Sequence, residues 1–198
     1  MDEQHGTETK GALTRRSILA AAIERFGREG YRSTSVADIA RDASVSGSVA
    51  YAYFDNKEAL FLAAVDEDAA GVIHEGLASI EQDPNPRHWR QTLIFTLVGA
   101  VERHPLARRL LAGLEPDVTV RVLEIPALAE LRKACAERLR TEQAAGTVRP
   151  DIDAASIGNG VVSLLLSMLM SVVQLGSESA VVYAADVAAV FEAALTTP

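Results

Sequence analysis

Apolar residues recur at helical steps along most of the chain, and no period-two segment is sustained. Leu19, Ala22, Ile23 and Phe26 mark the inner face of a helix over about 14–28, with Gly30 as its stop signal. Val36, Ile39, Ala40 and Ala43 follow at i, i+3, i+4 and i+7, behind a capping-box start at Ser35 and Asp38. Ala43, Ser44 and Val45 then read as a turn, and Ser46 can cap a second helix through Ala50, Tyr53 and Phe54. Asp55, Asn56 and Lys57 break the pattern before a long helix over 57–80. Pro84 and Pro86 place a loop at 82–87. Further helices are predicted at 89–103, ended by His104 and Pro105, and at 106–114, with a looser stretch from Glu115. Residues 126–145 carry Leu128, Leu131, Cys135 and Leu139 on one side, and 146–150 turn into two last apolar helices. The expected fold is all-α, with about nine helices. It divides into a flexible arm at 1–11, a three-helix head at 12–72 and a helical body at 73–198.

The segment 35–57 carries the most information. Its second helix spans roughly 12 Å at 1.5 Å per residue, and the major groove of B-DNA is about 12 Å wide. Spacing alone leaves two readings open, a DNA-binding helix-turn-helix at 35–54 or any αα-hairpin of an all-α core. The residues go further. Gly30-Tyr31, Thr34-Ser35, Ile39-Ala40, Val45-Ser46, Tyr51, Tyr53-Phe54, Asn56-Lys57-Glu58 and Leu60-Phe61 together resemble the DNA-binding domain of the TetR family of repressors. The resemblance is dense over 12–65. Beyond that it is one of architecture, plus the phrase Val148-Arg149-Pro150-Asp151-Ile152-Asp153, which many members carry before their last two helices. It implies that Thr34, Ser46, Tyr51, Tyr53 and Lys57 hold the phosphate backbone. The DNA-facing set then comprises Thr34, Ser35, Ser46, Gly47, Ser48, Val49, Tyr51, Ala52, Tyr53 and Lys57. Lys57 also opens a helix whose N-terminus favours a phosphate.

Charge is unevenly placed. Over 10–57 eight bases face five acids, whereas from Glu58 onward eleven bases face nineteen acids. A mildly basic head on an acidic body suits a protein that meets DNA at one end. The single cysteine, Cys135, excludes an intrachain disulfide and fits a reducing cytoplasm. The polar, acidic N-terminus lacks the apolar run of a signal peptide. His5, His74, His88 and His104 are dispersed and lack metal-ligand spacing, and no phosphate-binding glycine loop or nucleophile elbow occurs. No metal, cofactor or enzymatic activity is expected. Cys135 reads as a small core residue and His104 as a helix-end residue.

The stretch 154–177 contains no charged residue, and its 24 residues are long enough to cross a bilayer. Against a membrane span stand a polar stripe (Ser156, Asn159, Ser163, Ser167, Ser171, Gln174), Gly158 and Gly160 as interruptions, and flanks without a basic cluster. Val182, Val187, Val190, Phe191 and Ala194 then give the following segment, 180–195, an apolar face of its own. Two such helices leave more apolar surface than a monomer exposes, so a homodimeric four-helix interface is expected. Its residues include Ser163, Ser167, Ser171, Val187, Val190 and Phe191, and TetR-like proteins dimerise in this way. The helices over 89–175 can enclose an effector pocket. The lining expected there is Trp89, Leu93, Phe95, Leu97, Leu111, Leu131, Cys135 and Met168, which are also residues a bundle needs inside.

These features converge on a homodimeric repressor that binds a palindromic operator in double-stranded DNA and is released by a small, mainly apolar effector. The competing readings are an activator or orphan regulator without a small ligand, and a helical interaction protein with a vestigial DNA-binding head. The segment also departs from the family pattern. Ser44 stands where glycine is usual, Gly47 replaces a frequent Lys or Arg, Val49 a frequent Thr, and Ala50 a bulkier core residue. The recognition helix therefore lacks Arg, Lys, Asn and Gln, the side chains that read bases in bidentate fashion. Val49 or Ala52 is expected to touch a thymine methyl. Water, DNA shape and the segment 10–16 in a minor groove are expected to carry the remaining readout.

Overall fold

A computed structural model describes residues 9–82, 89–119, 123–176 and 186–195, with 188 and 192 excepted. Among these residues every regular element is helical. Of the expected loop at 82–87, Gln82 belongs to a helix and the rest lies outside the described residues, as does most of the arm.

Helix α1 (Lys10–Ser33) starts behind Thr9, whose side chain accepts from the Ala12 amide. The flexible arm expected at 1–11 therefore gives way to helix before residue 11, and 10–16 are the first turns of a capped helix. At Gly30 the backbone turns to φ +82 and bends α1. Helix α2 (Val36–Asp42) is capped by Ser35, and α3 (Gly47–Tyr53) by Ser46. Between them Ser44 sits at φ +57, the left-handed conformation that costs a non-glycine residue about 1–2 kcal/mol. Helix α4 (Lys57–Gln82) is continuous from head to body.

The head core joins Phe26 of α1, Ile39 of α2, Ala50 of α3 and Leu60 of α4, all fully buried. Phe26 meets Phe61 edge to face at 4.9 Å. The core also takes in Leu106 and Leu110 from α6 (Pro105–Leu111). A Cβ at Gly27 would stand 2.7 Å from the Pro105 Cβ, so glycine lets α1 and α6 touch.

The body core draws on the rest of α4, α5 (Trp89–Arg103), α8 (Pro126–Ala144) and α9 (Ala154–Leu175). A short helix α7 (Pro116–Thr119) precedes α8. The two cores separate within α4 between Val65 and Ala69, ahead of the division expected at 72/73. Helix α9 is long and apolar enough to cross a membrane by composition, yet one side of it is packed into the body core. Gly158 and Gly160 do not interrupt it. Gly158 is where α8 comes close, with a virtual Cβ 3.0 Å from the Ala136 amide nitrogen. The phrase 148–153 is a structured corner: Val148 is buried, the Arg149 amide donates to the Leu195 carbonyl, and Asp153 caps α9 through the Ser156 amide.

Candidate nucleic-acid interface

The recognition helix is presented by local hydrogen bonds. Ser35 Oγ accepts from the Asp38 amide at 3.1 Å and donates to its carboxylate at 2.6 Å, which holds the Asp38 carboxyl below the usual range. Ser46 Oγ accepts from the Val49 amide and lies 2.9 Å from Ser48 Oγ. Arg25 ties α1 to the end of α2 through both carboxylate oxygens of Asp42, at 2.6 and 3.1 Å, and this bond lowers the Asp42 pKa.

Ser46, Ser48, Val49, Tyr51, Ala52 and Tyr53 form one exposed surface, with Tyr51 54% exposed, while Ala50 faces the core. Nothing lies within 4 Å of a virtual Cβ at Gly47, so this position is open to a groove. The Tyr53 hydroxyl stands near Gly11 of α1. Lys57 opens α4, where Asn56 Oδ1 accepts from the Ala59 amide at 2.8 Å and caps the helix. The Lys57 ammonium lies 4.4 Å over the Tyr31 ring and donates to the Arg32 carbonyl at 3.5 Å.

Thr34, expected to hold the phosphate backbone, has its hydroxyl engaged within the head. Its side chain is 3% exposed and donates to the Gly30 carbonyl at 2.9 Å, so it closes the bend of α1. The segment 10–16, expected in a minor groove, forms the first turns of α1 and carries Lys10, Arg15 and Arg16. Arg15 lies over the Phe54 ring at 5.1 Å.

The body holds a cavity of about 60 Å³ between α4, α5, α6, α8 and α9, and its wall is almost wholly apolar. Of the expected lining, Leu97, Leu111 and Leu131 face it. Trp89, Leu93, Cys135 and Met168 are buried in the same core away from its wall. Phe95 is a correction: it is 63% exposed on the outer side of α5. Two residues along a helix turn the side chain by about 200°, so the buried row of Leu93 and Leu97 forces Phe95 outward. Burial pushes the Cys135 thiol up to about 12, which fits an inert core residue.

On α9, Ser163, Ser167 and Ser171 each donate to the carbonyl four residues back at 3.0 Å. Ser163 and Ser167 are exposed and Ser171 half-buried. Val190 is exposed, whereas Val187 is half-buried and Phe191 packs partly against the body core.

Two joints between head and body escape motif reading. Asp68, 4% exposed on α4, accepts from the Leu106 and Ala107 amides at 2.9 and 2.8 Å and faces His104 Nδ1 at 2.8 Å. His104 Nε2 faces Glu75, and a Cβ at Gly71 would strike the imidazole. The Arg103 guanidinium, and then His104, hold the Glu75 carboxyl below its usual range. Glu115 Oε1 accepts both the Tyr31 amide at 3.0 Å and Arg109 Nε at 2.8 Å. A carboxylate at 68 on the apolar row of Phe61, Ala64, Val65 and Val72 was a legible sign of the first joint. The second carries no local signal.

An exposed, capped helix beside a capped cationic helix start, set on a larger helical body, is the build of a helix-turn-helix transcriptional regulator. Residues 18–64 match the family model of the bacterial regulatory proteins of the tetR family. The chain is 31% identical over 149 residues to the HTH-type transcriptional repressor Rv1474c of Mycobacterium tuberculosis, covering 71% of this chain and 72% of that protein. It is 24% identical over 170 residues to the HTH-type transcriptional regulator UidR of Escherichia coli K12, covering 83% and 84%. The crystal structure of a TetR-family transcriptional regulator from Pectobacterium atrosepticum shares the fold with a TM-score of 0.74 at 19% identity, covering 97% of this chain and 99% of that one. The chain belongs to the TetR family. It is a DNA-binding transcriptional regulator and not an enzyme.

Proposed function

We propose that the protein is a homodimeric repressor, bound to a palindromic operator and released when a small apolar effector enters the body cavity. One observation carries this reading: Leu110 of α6 lines the cavity and is also a member of the head core. Its neighbours on α6 divide, with Leu106 in the head core and Ala107 and Leu111 in the body core. Small-molecule sites usually enclose about 300–1,000 Å³. A ligand entering a space of about 60 Å³ must therefore part its walls, α6 among them. Displacing α6 shifts the packing under α1 and α4, with a coupling of about 1–3 kcal/mol between effector and DNA. The apolar wall selects hydrocarbon over polar ligands.

Repression, rather than activation, is supported by the 31%-identical relative, itself a repressor. Dimerisation is supported by the free side of α9. There the serine hydroxyls are spent on their own helix, beside exposed Leu164 and Leu175, so another helix can pack closely without stranding polar groups. Two recognition helices would then enter major grooves about 34–36 Å apart or wider.

The test uses small apolar compounds, such as monoterpene hydrocarbons and medium-chain alkanes, scored for release of the protein from its operator. Val162→Phe, which fills the cavity, should keep operator binding and lose release. Release that persists in Val162→Phe would contradict the cavity as the effector site.

A further inference from the structure

Lys57 is seated by the two residues that follow the bend in α1. Its ammonium rests over the Tyr31 ring and bonds the Arg32 carbonyl. The Tyr31 ring is itself wedged against Phe61, at 4.8 Å between centroids, and stacked on Phe26 at 6.2 Å. The Tyr31 amide leaves the helical ladder at Gly30 and bonds the Glu115 carboxylate, 84 residues along the chain. Gly30 makes this approach possible: a Cβ there would collide with the Arg109 guanidinium and stand 2.8 Å from Glu115 Oε1. Arg109 holds the same carboxylate oxygen, with both side chains largely buried. Val118, three residues further on, packs against the head core.

We infer that Glu115 is a positioning residue for DNA binding: it anchors the Tyr31 backbone, and through the Tyr31 ring it holds the Lys57 ammonium where phosphate is met. The inference rests on the reading of Lys57 as a phosphate ligand. It gives α6 and the segment after it a direct line to a DNA contact, separate from the packing of Leu110. An amide anchored by a charged acceptor stays put, whereas a freed one lets the 30–34 bend relax and the ring drift from Lys57.

The experiment uses the full chain and two labelled duplexes, one selected from a random pool by the unaltered protein and one of random sequence. Affinity is measured across a salt series, with thermal unfolding as a control. Glu115→Ala should weaken binding to both duplexes by about tenfold, the worth of one well-made hydrogen bond. It should also lower the slope of log affinity against log salt by about one. Glu115→Gln keeps a carbonyl acceptor for the Tyr31 amide and should recover most of the loss, which separates anchoring from charge. In a Lys57→Ala background, Glu115→Ala should add less than about twofold. Tyr31→Leu leaves the amide bond in place and removes the ring, and it should reproduce the slope loss even if Glu115→Ala fails to fold. Additive effects of Glu115→Ala and Lys57→Ala, an unchanged slope in Tyr31→Leu, or a lowered melting temperature with unchanged affinity would overturn the inference. If Lys57→Ala alone leaves affinity and slope unchanged, the phosphate reading of Lys57 fails first and the inference falls with it.

Discussion

Replacing Asp68 with alanine tests the joint between α4 and α6. Asp68 is nearly inaccessible, and its Oδ2 accepts the first two amides of α6, from Leu106 and Ala107, while Oδ1 meets His104. Alanine leaves two buried donors without an acceptor, each costing about 1–3 kcal/mol. It also removes the negative charge from the positive end of α6. The two amides alone imply a loss of roughly 2–6 kcal/mol. For a chain of 198 residues, at about 2–4 °C per kcal/mol, the melting temperature should fall by roughly 4–24 °C. Asn keeps one acceptor oxygen, so Asp68→Asn should fall between wild type and alanine. Chemical and thermal unfolding followed by circular dichroism measure both variants. A change below about 1 kcal/mol in Asp68→Ala would refute the claim that this carboxylate holds α6 on α4.

Gly30→Ala places a side chain at φ +82 and against the Arg109 guanidinium; it should lower stability by more than about 1 kcal/mol and weaken DNA binding, and a neutral result in both assays would contradict the tight bend. Cys135, fully buried with its thiol pushed up to about 12, should resist alkylation at pH 8 in the folded protein and react at once in denaturant; rapid labelling of the native chain would place it at the surface instead. The depressed carboxyls of Asp38, Asp42, Glu75 and Asp153, held down first by Ser35, Arg25, Arg103 and Ser156 respectively, contribute stability that is complete above the ordinary carboxylate range and is lost as pH falls through and below about 4. The melting temperature should therefore drop between about pH 5 and pH 2, with a shallower drop in Asp42→Asn, and a flat profile over that range would contradict these bonds.

What the sequence made legible was local. The caps at Ser35 and Ser46 and the helix start at Lys57 depend on neighbours within four residues, and each stands as its residue type dictates. The inner faces of α2 and α8 followed from helical spacing for the same reason. Pocket lining was less legible, because periodicity gives the face of a helix and not the height along it. Leu93, Leu97, Leu131 and Cys135 all point inward, yet only Leu97 and Leu131 among them stand at the level of the cavity. Phe95 is the converse case, an apolar residue that its place between Leu93 and Leu97 turns outward. The joints of Asp68 with His104 and of Glu115 with Tyr31 join residues 36 and 84 positions apart. Tertiary packing alone brings them together, so no window of sequence contains either.

In the proposed function, the exposed surface of α3 and Lys57 binds operator DNA as one half of a two-fold pair. The direct measurement is the stoichiometry and footprint of the full chain on a duplex it selects from a random pool, taken across a salt series. Two protomers protecting an inverted repeat, with affinity falling steeply as salt rises, is the predicted result. Absence of salt-sensitive binding to any selected duplex, or a single protomer on a site without two-fold symmetry, would contradict it.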